Sequence, residues 1–334
     1  MHSSLTRRQM MAGLAFSFAG SGAAGLLTRG AFAAPVPGLE VLGAPNASTI
    51  VLVRLMQTAP FAAQAPGASF RLWRDTDDLR AGVVSGRTRL FTTPTHVPAN
   101  LANRGLPLKL LCVLSMGHLS IVTADDGITS FKDLAGKPVL GFFRHDMPDL
   151  VFRAIAKREG LDPDKDMQMT YVRTPMEAAQ MLAAGRATTA VLSEPPATAA
   201  IMMAQKEGRP LRRAISLQAE WKRLFGGEGI PMAGVAVHES LITENPELLA
   251  VLRAGMVPAK DWVLADPEAA GALAQKEMQM KAPMFVKSMD HFHIVAEGAK
   301  PMQASLLAFY QALLDLNPAT LDGKLPPDSF FLDL

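Results

Sequence analysis

Cysteine is almost missing from this 334-residue chain, where Cys112 stands alone. One thiol cannot close an internal disulfide, and inside the mostly apolar run 108–114 it reads as a buried core residue rather than a reactive group. Charge of one sign is also missing, since 33 basic residues face 31 acidic ones. A near-neutral chain gives no electrostatic case for nucleic acid. There is no internal repeat and no low-complexity linker. No Gly-x-Ser-x-Gly elbow or ordered triad supports hydrolysis. After the N-terminus, no apolar run is long enough to span a bilayer.

What is present begins with a segment unlike the rest. Residues 1–10 carry Arg7 and Arg8 and no acid, residues 11–27 run through Ala, Gly, Leu and Phe without charge, and Ala31-Phe32-Ala33 offers a small-x-small cleavage site before Ala34. That order reads as a secretory signal over residues 1–33. The rival reading, a membrane anchor, is disfavoured by a Gly-, Ala- and Ser-rich stretch at the short edge of a span. Thr6-Arg7-Arg8-Gln9-Met10-Met11 resembles a twin-arginine export motif, with Met-Met in place of the usual Phe-Leu. Cleavage removes Arg7, Arg8 and Arg29 and no acid, which takes the formal charge from +2 to −1. With no cysteine near the site there is no lipid anchor, and a free exported protein is retained only behind an outer membrane. The expected location is the periplasm, without a stable membrane attachment.

The remaining length suits two domains. Strands are predicted over residues 39–43, 69–73, 88–92, 108–114, 119–123, 138–143, 167–172, 188–192 and 232–238. Helices are predicted over 48–58, 75–85, 148–159, 175–184 and 195–207, with another starting at Pro98. Residues 245–257, 267–280 and 301–316 make the C-terminal part mostly helical. Short strands alternating with helices imply an α/β fold of parallel sheets covered on both faces. Ligands of such sheets sit outside the carboxyl ends of the strands, which singles out the loops 44–48, 92–97, 115–118, 142–148 and 193–196.

At Ile128-Thr129-Ser130-Phe131-Lys132-Asp133-Leu134-Ala135-Gly136-Lys137-Pro138-Val139 the chain resembles the I-x-S-x-x-D-L-x-G-K-x-V stretch of ABC-importer solute-binding proteins. The nearest branch handles nitrate, sulfonates, taurine and thiamine-pyrimidine precursors. Residues 152–161 resemble that family's helix ending in Gly-Leu, 175–185 its A-L-x-x-G helix, and 190–195 its A-x-x-x-E-P turn, here with Glu194-Pro195. The resemblance implies a type II periplasmic-binding fold: two α/β lobes joined by two hinge strands, with a ligand cleft between. Lobe one would be residues 34–120 plus 236–334 and lobe two 121–235, with crossovers at 119–123 and 232–237. Closure would be a hinge motion driven by ligand contacts to both lobes. One departure matters: Thr88 stands where the family often has the Asp of Gly-x-Asp, so no relative's ligand preference carries over directly.

The candidate ligand contacts follow from the loops. Asn46 and Ser48 stand at a helix start, where simple capping is the competing role. Thr93, Thr95 and His96 are polar residues in a loop at a sheet end. Ser115 and Met116 lie before the first crossover, close in sequence to His118. Arg144 suits a carboxylate or sulfonate bidentately, or else pairs with Asp146 or Asp149, and His145 lies beside it. Asp146 reads as a cap, and one of Phe142 and Phe143 is expected to wall the cleft; Phe143 is the choice. Glu194 suits a ligand donor such as an amine, amide or ring N–H, or a local Arg. Met116, Met147 and Met232 supply adaptable apolar area.

Three functions fit. The first is a periplasmic receptor that hands a small organic solute (a sulfonate, a pyrimidine-like, aromatic or partly apolar molecule) to an ABC permease, acting as a monomer without catalytic residues, cofactor or metal. The second is a pyrimidine-synthase-like enzyme on the same scaffold. The third is a copper accessory protein using Met and His, including Met289 and His291-x-His293, for which no third ligand is evident.

Overall fold

The computed structural model describes residues 34–334; the predicted secretory signal, with its expected cleavage site and twin-arginine-like motif, lies outside the described residues. Among the described residues no helix is long and apolar enough to cross a membrane. Eleven strands form there: β1 Glu40–Gly43, β2 Ser69–Leu72, β3 Leu90–Pro94, β4 Leu108–Met116, β5 Leu119–Thr123, β6 Pro138–Phe142, β7 Gln168–Val172, β8 Thr189–Ser193, β9 Arg212–Ser216, β10 Pro231–His238 and β11 Ile294–Gly298.

They pair into two sheets, ordered β11-β4-β10-β3-β1-β2 and β7-β6-β8-β5-β9. The apolar run of β4 is buried on both faces, as a central strand requires, while β2 and β7 close the edges with half-exposed residues. Helices Thr49–Met56 and Pro246–Ala265 pack on the first sheet, and Met147–Arg158, Pro175–Ala183 and Pro196–Lys206 belong to the second. This is the two-lobed α/β architecture of the type II periplasmic-binding fold.

The sheets are mixed rather than parallel. Within each, three strands run parallel (β2-β1-β3 and β7-β6-β8), but β10 is antiparallel to both β3 and β4, and β5 to both β8 and β9. A strand that returns from the other lobe without a crossover helix enters antiparallel, and an alternation count does not reveal which strand does so.

Other boundaries moved for local reasons. The helix predicted to start at Pro98 begins at His96, two residues earlier, because the β3 end turns directly into it. Pro246–Ala265 continues through Pro258, its inner face buried by Leu252, Met256, Ala259 and Val263. Strand Arg212–Ser216 with helix Leu217–Phe225, and strand Ile294–Gly298, are additions to the predicted elements. The last joins the first sheet, so the region after His238 is not wholly helical. Met289–His291 forms a 3-10 turn with His291 and His293 exposed, so the two rings do not share a strand face.

Two crossings join the sheets. The first is Gly117-His118, between β4 and β5; the second runs from the end of the helix Leu217–Phe225 to β10. One side chain holds both. Gln218 Oε1 accepts from Gly117 N at 3.2 Å and from Ile230 N at 2.9 Å. Gly229, with φ +106, lies so close that an added Cβ would sit 2.0 Å from Gln218 Nε2.

Candidate functional site

The carboxyl ends of both parallel trios point at one cleft. From the first lobe come Ala44, Pro45 and Asn46 after β1, Trp73 after β2, Pro94 at the end of β3, and Met232 and Ala233 on β10. The second lobe adds Phe142, Phe143, Asp146, Met147 and Pro148 around the end of β6, Pro175 after β7 and Ser193 at the end of β8. Thr76 and the crossing residue His118 complete it. The cavity proper holds ≈ 70 Å³, and the mouth that opens it to solvent brings the atom-free space to ≈ 560 Å³. That site, at the ends of sheet strands and between lobes, is where α/β folds bind small molecules.

Each wall is set by local chemistry. On the first lobe, Thr92 Oγ1 accepts from Ala44 N at 2.7 Å and meets Thr49 Oγ1 at 2.8 Å, while Trp73 Nε1 donates to Thr92 O at 3.1 Å. One buried threonine thereby holds the β1 turn and the indole together. Asn46 commits Oδ1 to Ser48 N and Oγ at 3.1 and 2.8 Å.

On the second lobe the loop after β6 is strained. Phe143 has φ 48 and His145 φ 64, both in the left-handed region that side chains with a Cβ avoid. A network centred on the buried Asp149 holds them there. His145 N donates to Asp149 Oδ2 at 2.8 Å, Tyr171 OH donates to Asp149 Oδ1 at 2.7 Å, and Arg153 bonds Asp149 at 2.9 Å and Asp164 at 2.7 Å. The result presents the Phe143 ring and the Asp146 carboxylate to the cleft.

Asp146 is the one acid of the lining. Its Oδ1 accepts from Met147 N at 2.8 Å, and His96 Nε2, from the other lobe, lies 3.5 Å from the same oxygen. Among the described residues nothing donates to Oδ2. Burial holds His96 below its usual value, against the pull of Asp146, and burial pushes His118 down to about 3. No lysine or arginine is among the described lining residues.

Of the expected contacts, the fold brings Asn46, Phe143, Met147 and Met232 into the cleft wall. His96 sits just behind it, against Asp146. Ser48 is buried on Asn46. Thr95 pins β3 to β10, its Oγ1 donating to Pro231 O at 2.7 Å, and Tyr310 OH donates to Thr95 O at 2.7 Å. Thr93 and Ser115 are fully buried with hydroxyls that find no partner, and Met116 is half-buried outside the lining. Arg144 and His145 are exposed, the guanidinium lying 5.3 Å above the Tyr171 ring. Glu194 is buried but engaged, bonded by Arg213 at 2.6 Å and by Thr198 Oγ1 at 2.7 Å. Here the competing role, a local arginine pair, is what the geometry shows.

Trp73, His118 and the cleft-lining place of Asp146 were not singled out, and Phe142 and Phe143 both line the cavity where one of the two was expected to. Trp73 follows a strand whose carboxyl end faces the cleft, a signal that was available in the sequence. Asp146 does cap the helix Met147–Arg158 as expected; that the same carboxylate borders the cavity needs the other lobe.

A family model for the NMT1-like family matches residues 77–276. No curated protein sequence matches the chain. Among solved structures, an ABC transporter protein of Parabacteroides distasonis is similar at 19% identity and TM-score 0.69, over 87% of this chain and 97% of that one. The periplasmic aliphatic sulphonate-binding protein of Escherichia coli is similar at 17% identity and TM-score 0.65, over 87% and 98%. The periplasmic nitrate-binding protein of Synechocystis PCC 6803 is similar at 12% identity and TM-score 0.62, over 89% and 87%. At these identities the likeness concerns the fold.

Proposed function

This chain belongs to the NMT1-like family, and from that premise we propose that it is a periplasmic receptor that captures a small, partly apolar organic solute and delivers it to an ABC permease. The carrying observation is the cleft itself: two lobes, each turning the carboxyl ends of its parallel strands toward a cavity walled by Trp73, Phe142, Phe143, Met147 and Met232. Aromatic rings and thioethers supply contact area, and a few polar groups orient the ligand. Solved structures of this architecture include proteins named for binding sulphonate and nitrate, which supports the receptor class.

The lining chemistry does not support those two ligands here. A like charge about 4 Å from the Asp146 carboxylate costs on the order of 4 kcal/mol at an effective dielectric near 20. With no lysine or arginine among the described lining residues to offset that cost, a small oxyanion is disfavoured.

The test is mass spectrometry of ligand released from protein isolated natively from the periplasm, followed by thermal unfolding with that ligand added. Ligand at a hundredfold over Kd adds about 2.7 kcal/mol, a rise of roughly 4–8 °C without product formation. A product distinct from the bound molecule would instead favour an enzyme on this scaffold. No released ligand and no response to a broad solute screen would sink the receptor reading.

A further inference from the structure

We infer that the cleft selects an organic cation with a flat apolar body, an ammonium or amidinium head seated on the free oxygen of Asp146. The inference rests on the receptor reading above and names its ligand class.

An anion is held best at places where backbone donors are free. In an α/β fold these are helix N-termini, whose first N–H groups are free. At three of the helix starts around the cleft they are taken or deleted. At the helix Met147–Arg158 the Asp146 carboxylate itself accepts from Met147 N at 2.8 Å, and the next residue, Pro148, has no N–H. At the helix Pro175–Ala183 the first residue is proline and Thr174 Oγ1 accepts from Glu177 N at 3.1 Å. At the helix Thr49–Met56, Asn46 Oδ1 holds Ser48 N. Four prolines, Pro45, Pro94, Pro148 and Pro175, line the cavity, each a residue without a backbone donor. The walls thus offer few backbone donors, and the polar side chains beside Asp146 are the neutral Asn46 amide and the Thr76 and Ser193 hydroxyls.

What they offer is an acceptor. Asp146 is 8% exposed, and its Oδ2 has no donor among the described residues. A carboxylate oxygen open to the cleft accepts a ligand N–H⁺ through a charge-assisted bond. His96 approaches the other oxygen from the opposite lobe at 3.5 Å, so the acceptor is held at the seam of the two lobes. Phe143, fixed with φ 48, and Trp73 from the facing lobe give a planar body its apolar contacts.

An isosteric series separates charge from shape. The protein without residues 1–33 is titrated calorimetrically with benzamidinium, benzamide, benzoate and benzenesulfonate, and with nitrate. Benzamidinium is expected to bind best, benzamide more weakly, and the three anions not measurably. Asn caps a helix as Asp does, so Asp146→Asn keeps the fold while removing the charge. It is expected to weaken benzamidinium by about 10- to 100-fold, to change benzamide by less than about threefold, and to admit benzoate. Tighter binding of any of the anions than of benzamidinium, or unchanged benzamidinium affinity in Asp146→Asn, overturns the assignment and leaves the receptor reading intact. Silence from all five probes at millimolar concentration also overturns it, and the released-ligand experiment then decides the receptor reading separately.

Discussion

Single residues in this protein divide sharply into those held for the cleft and those held for the frame. His118 is buried at the first crossing and stacked on Phe292 with ring centroids 4.3 Å apart. Burial, opposed by the Met116 carbonyl and aided by His293, lowers it from 6.5 to about 3. Between those values the unfolded chain binds the proton and the folded chain does not, so acid destabilises the fold. Urea unfolding between about pH 6.5 and pH 4 should show stability falling by up to about 1.4 kcal/mol per unit from this group. His118→Phe keeps the ring stack and should flatten that slope; an unchanged slope refutes the assignment. Glu194 belongs to the frame. Arg213→Ala strands its carboxylate at 1% exposure and should cost about 3 kcal/mol, the low end for a buried pair because Arg213 is partly open. Calorimetric melting checks the cost, and ligand selectivity should not move.

At the scale of elements, the connections matter more than the strands. Gln218 bridges the two crossings, and its removal leaves Gly117 N and Ile230 N buried without that acceptor. Gln218→Ala should cost about 1–3 kcal/mol for each stranded donor. Gly229→Ala should destabilise as well, since φ +106 and the 2.0 Å approach to Gln218 Nε2 leave a Cβ no room. Denaturant midpoints of both variants test this, and a wild-type midpoint in either would show that the crossing relaxes freely. The helix Gln303–Leu316 is a third connection. It packs on Met147–Arg158, and Phe309 meets Trp221 edge-on at 5.3 Å. We therefore propose to draw lobe two as residues 121–235 with this helix added, rather than to leave all of 236–334 with lobe one. Phe309, 1% exposed, reports the joint: Phe309→Ala should cost about 3–5 kcal/mol in the same assay.

For the whole molecule the useful quantity is the coupling of closure to ligand. Both lobes contribute to the cavity wall, so a ligand that touches Trp73 and Phe143 together stabilises the closed arrangement over the open one. Small-angle scattering should show a smaller radius of gyration when the released ligand is returned, alongside the rise in melting temperature. A ligand that raises the melting temperature without compaction would place its contacts on one lobe only.

Periodicity, helix caps and proline positions made the α/β alternation legible, because they act within a few residues of chain. The buried fate of Cys112 was readable for the same reason, and its thiol is pushed up to about 12 by that burial. The strand-end rule pointed to loops that border the cleft, and Asn46, Phe143, Met147 and Met232 within them line it. It favoured Glu194 for a ligand donor and read Asp146 as a cap, two acids that each follow a strand and open a helix. Arg213, from β9 on the far side of β5, engages the first; the second meets its own helix's Met147 N and the His96 imidazole of the facing lobe. Which carboxylate stays free for a ligand depends on partners 19 and 50 residues away along the chain. Local chemistry set the elements and their loops; the charge of the cleft was decided only when two sheets brought those distant side chains together.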